Sequence, residues 1–248
     1  MDAAFARTAL VAGEAMMNRL AAARVLVVGV GGVGSWAVEA LVRSGVGHIT
    51  IVDNDVVAES NINRQLPALH STVGQPKVEV LRRRMLDINP GLDITAVAHV
   101  YTPENADSYD LDAYDFILDA IDTLRCKMEL IRRACRSRAR FFSSMGAARK
   151  LHAAQVQVAD FGKVYGCPLA RALRQRFKRE GMMPRRKFKC VFSPEVVDNR
   201  GEAALAGTDG WAHAKASVNG TFAHTTAIFG MTLAGLVIES LYDAPSPR

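Results

Sequence analysis

The 248-residue sequence predicts an α/β fold, a doubly wound and mostly parallel sheet, and three observations carry that prediction. Short β-branched runs (RVLVVG from Arg24, HITIVD from His48, FILDA from Phe116) read as strands buried on both faces. Helical stretches with regularly spaced apolar residues separate them, giving a β-α-β-α-β order that implies a doubly wound parallel sheet. The turn after the first strand is glycine-dense, which is where such sheets hold phosphates.

The elements follow in order. Arg24–Gly29 is the first strand, and WAVEALVRSGV after the glycine turn has helical spacing that stops at Gly45 and Gly47. His48–Asp53 is the second strand. Pro76 suits a first helical turn, and Val78, Leu81, Met85 and Ile88 recur on one face until Asn89-Pro90 ends the helix. Leu92–Val100 alternates as a strand, Phe116–Ala120 is a short apolar one, Thr123–Arg138 is a basic-faced helix, and Arg140–Ser144 is a further strand. From Gln155 (QVQVADF) the pattern is strand-like but irregular, and a basic helix follows. Residues 196–220 form a long stretch without periodicity, expected to be a mobile crossover loop. The whole chain, 1–248, is expected to be one domain, with a nucleotide-binding core over 24–150 and a part for substrate binding and dimerisation over 151–248.

Composition narrows the class. Hydrophobic residues make up 49% of the chain, enough for a sizeable core. Cys126, Cys135, Cys167 and Cys190 are widely spaced without a CxxC pair, which argues against a disulfide framework and against a thiolate zinc site, and fits a reducing cytoplasm. No N-terminal signal pattern is present. The apolar segment from Thr221 is interrupted by His224, Thr and Gly and leaves roughly 14 apolar-dominated residues, short of the roughly 20 that span a bilayer. A core or interface helix is expected there, with peripheral membrane association left open. His70, His99, His152, His213 and His224 lack metal-ligand spacing and read as structural or surface residues, as does Trp36, while Trp211 is a candidate lid contact.

The net charge of +6 is concentrated. Arg171–Lys189 holds nine basic residues against one acid, so the positive field is local. Arg171, Arg174, Arg176, Lys178, Arg179, Arg185, Arg186 and Lys187 are therefore candidate contacts to a nucleic-acid backbone.

Gly29, Gly31 and Gly34 satisfy G-x-G-x-x-G between a strand and a helix, a Rossmann-like fingerprint, and Asp53 ends the next strand where a ribose-binding acid is expected. Alone, that pattern points to NAD and an oxidoreductase. The loop that follows adds Asp55, Asn61, Arg64, Gln65 and Lys77. Two cations beside a ribose carboxylate suit a triphosphate, where they offset charge as pyrophosphate leaves. Asp122, at the C-terminal end of a strand, is placed to bind Mg²⁺.

GVGGVGS, N-x-N-R-Q (Asn61 to Gln65), V-G-Q-P-K (Val73 to Lys77), I-N-P (Ile88 to Pro90) and D-A-I-D (Asp119 to Asp122) occur in order over about half the chain. Together they resemble the ubiquitin-activating-like adenylating family, HesA/MoeB/ThiF. Its tRNA-modifying, dehydratase branch is matched further by Gln155–Asp160, Pro168–Arg176 and Cys190–Ser193. The resemblance implies an ATP- and Mg²⁺-dependent adenylating enzyme with no zinc and a homodimeric assembly. Gly29, Gly31, Gly32, Gly34 and Ser35 would wrap the phosphates, Asp53 would hold the ribose, and Asn61, Arg64, Gln65 and Lys77 would touch phosphates. Asp122 would bind Mg²⁺, and Arg7 lies near the place where relatives lend an arginine to the partner. The implied substrate is the threonylcarbamoyl adenosine at position 37 of certain tRNAs, with a cysteine desulfurase or sulfur-acceptor system as a further partner. Two alternatives remain open: adenylation of a sulfur-carrier C-terminus, in which Cys190 would be a candidate nucleophile, and NAD-dependent oxidoreduction.

Overall fold

Apolar strands that cannot face water on either side must be covered by helices, and the described residues solve this with seven strands in one sheet. The computed structural model describes residues 3–201 and 219–243. After an N-terminal helix α1 (Ala6–Ala22), which bends at Gly13, come β1 (Arg24–Val28), α2 (Gly34–Arg43), β2 (His48–Val52), α3 (Lys77–Ile88) and β3 (Asp93–Val97). Then follow β4 (Phe116–Asp119), α4 (Leu124–Ala134), β5 (Arg140–Ser144), β6 (Gln157–Asp160), α5 (Pro168–Arg179), β7 (Lys189–Phe192) and α6 (Ala223–Tyr242).

The sheet order is β3-β2-β1-β4-β5-β7-β6, parallel throughout except for β6 against β7. The order reverses between β1 and β4, so the strand ends leave a crevice there. Val25, Leu26 and Val27 of β1 and Ile117 and Leu118 of β4 are wholly buried, as the apolar runs require. Each such side chain stabilises the fold by about 1.5–3 kcal/mol.

One core lies between the sheet and α1, α2, α3 and α6, and the other between the sheet and α4 and α5. α2 is tied to α3 by Glu39, which is buried and accepts from Arg43 at 2.7 Å and Arg84 at 2.9 Å. The segment from Thr221 forms a longer helix than expected, 20 residues. By length and composition it is apolar enough to cross a membrane. Phe229, Leu233, Ala234 and Val237 are nonetheless buried against the rest of the chain, because α6 packs along α2. At their crossing a Cβ on Gly230 would stand 2.4 Å from the Val33 carbonyl oxygen, so only glycine allows this approach. Two elements had no counterpart in the sequence reading, α1 and β7. Most of the residue 196–220 stretch, with Trp211 and His213, lies outside the described residues.

Candidate nucleotide-binding site

The glycine turn is built by contacts that exclude side chains. The Gly29 amide donates to the Val52 carbonyl at 2.8 Å, and Gly29 has a φ of 89°. A Cβ there would meet the Ala120 carbonyl oxygen at 2.8 Å, and one on Gly34 would lie 1.8 Å from the Gly29 carbonyl oxygen. The turn therefore touches the loop after β4 through backbone alone. Asp53 closes it from the other side: one carboxylate oxygen accepts the Val30 amide at 2.8 Å, the other the Asp55 amide at 2.9 Å. Burial raises the Asp53 carboxyl above its ordinary range, and the nearby Lys77 ammonium opposes that rise.

The residues that follow β2 return to the turn. Lys77 is buried at 4% exposure, and its ammonium donates to Asp55 at 2.8 Å. The Lys77 amide donates to the Asp55 carbonyl, so backbone and side chain hold the two residues together. Asn61 is buried and accepts the Ala58 amide through its side chain. Arg64 donates from one guanidinium nitrogen to the Ser60 carbonyl and the Asn63 side chain, both at 2.9 Å. Its Cγ lies 3.5 Å from where a Cβ on Gly32 would stand. The Gln65 amide nitrogen lies 3.6 Å from the same point on Gly31, and its buried Oε1 has no hydrogen-bond partner among the described residues. An unpartnered buried amide beside a glycine turn is a place for a polar ligand atom, and turned over it offers an N–H instead. Trp36 donates its indole N–H to the Arg64 carbonyl, fixing this loop on α2.

Asp122 is exposed in the loop between β4 and α4, two residues after Ala120, which abuts Gly29 of the glycine turn. Among the described residues no three His, Cys, Asp or Glu side chains gather as a metal cage. A carboxylate in this loop suits a magnesium ion that arrives on phosphates and keeps its waters.

Several expectations fall elsewhere. Ser35 is fully buried: its amide and its hydroxyl both donate to the Gly31 carbonyl, and the hydroxyl accepts the Leu66 amide. It shapes the turn and ties it to the Arg64 loop, without facing the crevice. Arg7 is exposed on α1, two residues past Phe5, whose ring packs near Gly45 at the far end of α2 from the glycine turn. This chain does not bring Arg7 to its own crevice. Cys190 has no solvent exposure, and burial holds its thiol far above the ordinary range, the opposite of what a thiolate nucleophile needs.

The basic segment divides. Arg171, Lys178, Arg179, Arg185 and Lys187 are exposed. Arg176 pairs with Glu180 at 2.6 Å. Arg174 turns inward, donating to the Phe161 carbonyl at 3.2 Å and lying 5.8 Å from the centre of its ring. Arg186 donates to the Ala134 and Ala139 carbonyls, neutralising the C-terminal end of α4. These two guanidiniums are structural staples.

Sequence reasoning missed two groups. Asp119 and Lys127 form a wholly buried ion pair behind the Asp122 loop. D-A-I-D shows the acid, but Lys127 looks like one more cation of a basic helix. The second group joins residues 149–152 to 195–198. Glu195 accepts the Leu151 and His152 amides and the His152 ring, which hold its carboxyl down at about 2. Arg149, at a φ of 59°, accepts the Val197 amide, donates its own amide to Gly220 and pairs with Asp198 at 2.7 Å.

Comparison with known proteins agrees with this layout. The ThiF family model matches residues 5–248. The tRNA threonylcarbamoyladenosine dehydratase of Bacillus subtilis is 41% identical over 191 residues, covering 77% of this chain and 74% of that protein. The Escherichia coli protein of the same name is 41% identical over 198 residues, 78% of this chain and 74% of its own length. A crystal structure of the E. coli tRNA N6-threonylcarbamoyladenosine dehydratase in complex with ATP superposes with a TM-score of 0.84 at 34% identity, over 96% of this chain and 93% of that one. The parallel sheet, the glycine turn at its switch point and these likenesses together show that the chain belongs to the ThiF family.

Proposed function

We propose that the chain is an ATP-dependent adenylating enzyme that dehydrates N6-threonylcarbamoyladenosine in tRNA to a cyclic form. The observation that carries the reading is the backbone contact of Gly29 with Ala120, which sets the glycine turn and the Asp122 loop side by side at the sheet's switch point. A triphosphate laid on the turn would meet amides of Gly31, Gly32 and Gly34, while Gly29, its own amide held by Val52, lets the backbone turn closely; Asp53 would lie at the ribose and Asn61, Arg64, Gln65 and Lys77 along the phosphates. Asp122 would hold Mg²⁺, which supplies charge neutralisation for the phosphates when bound. Lys77 already has an anionic partner in Asp55, and a phosphate can take over part of that role as the pair opens.

In the first step a threonyl carboxylate oxygen attacks the α-phosphate of ATP and pyrophosphate leaves. The neighbouring carbamoyl group then attacks the acyl carbon, the bond to AMP breaks, and the carbamoyl proton goes to solvent. The net loss is one water, whose oxygen departs on AMP. Because the second nucleophile is part of the substrate, proximity contributes about 7–11 kcal/mol and no protein thiol is needed. The buried Cys190 fits that route.

The exposed Arg171, Lys178, Arg179, Arg185 and Lys187 would dock tRNA phosphates. A homodimer would supply Arg7 across the interface, which fits its distance from the crevice in its own chain. The test is mass spectrometry of tRNA nucleosides after incubation with enzyme, ATP and Mg²⁺. The threonylcarbamoyl nucleoside should lose the mass of one water only when ATP is present. A sample that releases pyrophosphate with a sulfur-carrier protein and leaves tRNA unchanged would overturn the substrate, and one that takes up NAD in preference to ATP would overturn the reading altogether.

A further inference from the structure

Behind the Asp122 loop the sequence buries a full charge pair at a place where apolar residues would cost less. The Lys127 ammonium lies 2.8 Å from Asp119 Oδ2, and neither side chain has any solvent exposure. Desolvating two charges costs several kcal/mol per ion, and a well-packed apolar pair of the same volume is commonly neutral or stabilising. Stability alone does not explain the pair.

Its remaining hydrogen bonds converge on one residue. Asp119 Oδ1 accepts the Ile121 amide at 3.0 Å, and the Lys127 ammonium donates to the Ile121 carbonyl at 3.0 Å. Both polar groups of Ile121 are thus taken by the pair, and the next residue is Asp122. From the neighbouring strand, the Ser143 hydroxyl donates to Asp119 Oδ2 at 2.6 Å, locking the carboxylate plane. On the other side, the Ala120 amide donates to the Val28 carbonyl at 2.9 Å, and the Ala120 carbonyl oxygen abuts Gly29. The loop is held from both sides, by the glycine turn and by the ion pair.

We infer that Asp119 and Lys127 are positioning residues: through the two peptide groups of Ile121 they fix the direction in which Asp122 meets the metal carried by the nucleotide. Neither touches the nucleotide. This rests on the reading of Asp122 given under Proposed function.

The test separates position from fold. The variant Asp119→Leu/Lys127→Met removes both charges at similar volume, and we expect it to fold with a thermal midpoint at or above that of the natural chain. Its amides at Ile121 and Asp122 should exchange with solvent at least ten times faster, read by hydrogen–deuterium exchange. In the presence of a non-hydrolysable ATP analogue, its Mn²⁺ affinity, read by electron paramagnetic resonance, should fall at least tenfold. Should that variant fail to fold, Ser143→Ala, which removes only one bond to Asp119, is expected to weaken Mn²⁺ binding severalfold with the midpoint unchanged. Whichever variant folds, exchange and Mn²⁺ affinity equal to those of the natural chain overturn the inference. If instead the natural chain binds no Mn²⁺ with the analogue, or Asp122→Ala binds it as well as the natural chain does, the reading of Asp122 fails first and takes the inference with it.

Discussion

Two lysine–aspartate pairs flank the glycine turn at the same length, 2.8 Å, and they do opposite work. In Lys77–Asp55 the acid is 39% exposed, so one side of the pair reaches solvent, and on the proposed reading its ammonium turns to a ligand. In Lys127–Asp119 both partners are sealed, and their hydrogen bonds run into backbone. On the readings proposed above, the half-open pair supplies a cation to a ligand and the sealed pair fixes a loop. The separation between the atoms does not distinguish them, whereas the dielectric around them and the identity of their third partners do.

The sharpest way to break the comparison is to remove one cation from each pair. Lys127→Met strands the Asp119 carboxylate in the core and should destabilise the chain by about 3–5 kcal/mol, seen as a lower midpoint in chemical denaturation. Equal stability would mean that the core pair is not held as described. Lys77→Ala should leave the fold nearly intact, because Asp55 can turn to water. It should cost about 10²–10³ in kcat/KM for ATP-dependent adenylation, the scale of losing one preorganised donor. If Lys77→Ala unfolds the chain and keeps its rate, the two roles are reversed.

A smaller effect sharpens the difference through pH. The Asp53 carboxyl is raised by burial and pulled back by Lys77. A raised carboxylate stabilises the fold below its ordinary value of 3.8 and loses that contribution as pH rises through the elevated value. On the proposed reading nucleotide binding runs the other way, since ribose hydroxyls would need the ionised Asp53 as acceptor. In Lys77→Ala the opposing ammonium is gone, so the pH at which ATP affinity halves should move upward, measured by fluorescence titration across the acid range. Lys127→Arg should not move it.

The sheet was legible because buried parallel strands leave little freedom: β5 spans Arg140–Ser144 as the apolar pattern predicts, and β1, β2 and β4 end within a residue or so of expectation. The crevice residues were legible for a related reason. Gly29 to Gly34 and Asp53 to Lys77 are two contiguous segments, and a crossover brings them together. The Asp119–Lys127 bracket was not, since nothing in LRCKMEL marks Lys127 as inward among outward neighbours. The basic segment misled in the same way: Arg174 and Arg186 have the composition of a docking surface and the geometry of internal ties. Charge can be counted along a chain, but its direction is set by elements far away, here by Phe161 and the end of α4. α1 was missed because its apolar Leu10 and Val11 lie exposed, 87% and 80%, against the usual inward pattern.

The crossing of α6 over α2 has a consequence for how the molecule is made. Thr226 Cγ2 lies 3.3 Å from where a Cβ on Gly32 would stand, and Gly230 seats against Val33, so the last helix backs the first turn. Residues near position 30 leave the ribosome long before residue 230 does. Until the tail of the chain is free, the amides of the glycine turn have sheet on one side and water on the other. The crevice is therefore finished only once α6 has emerged and packed, and a message truncated before α6 yields a sheet whose glycine turn lacks its backing.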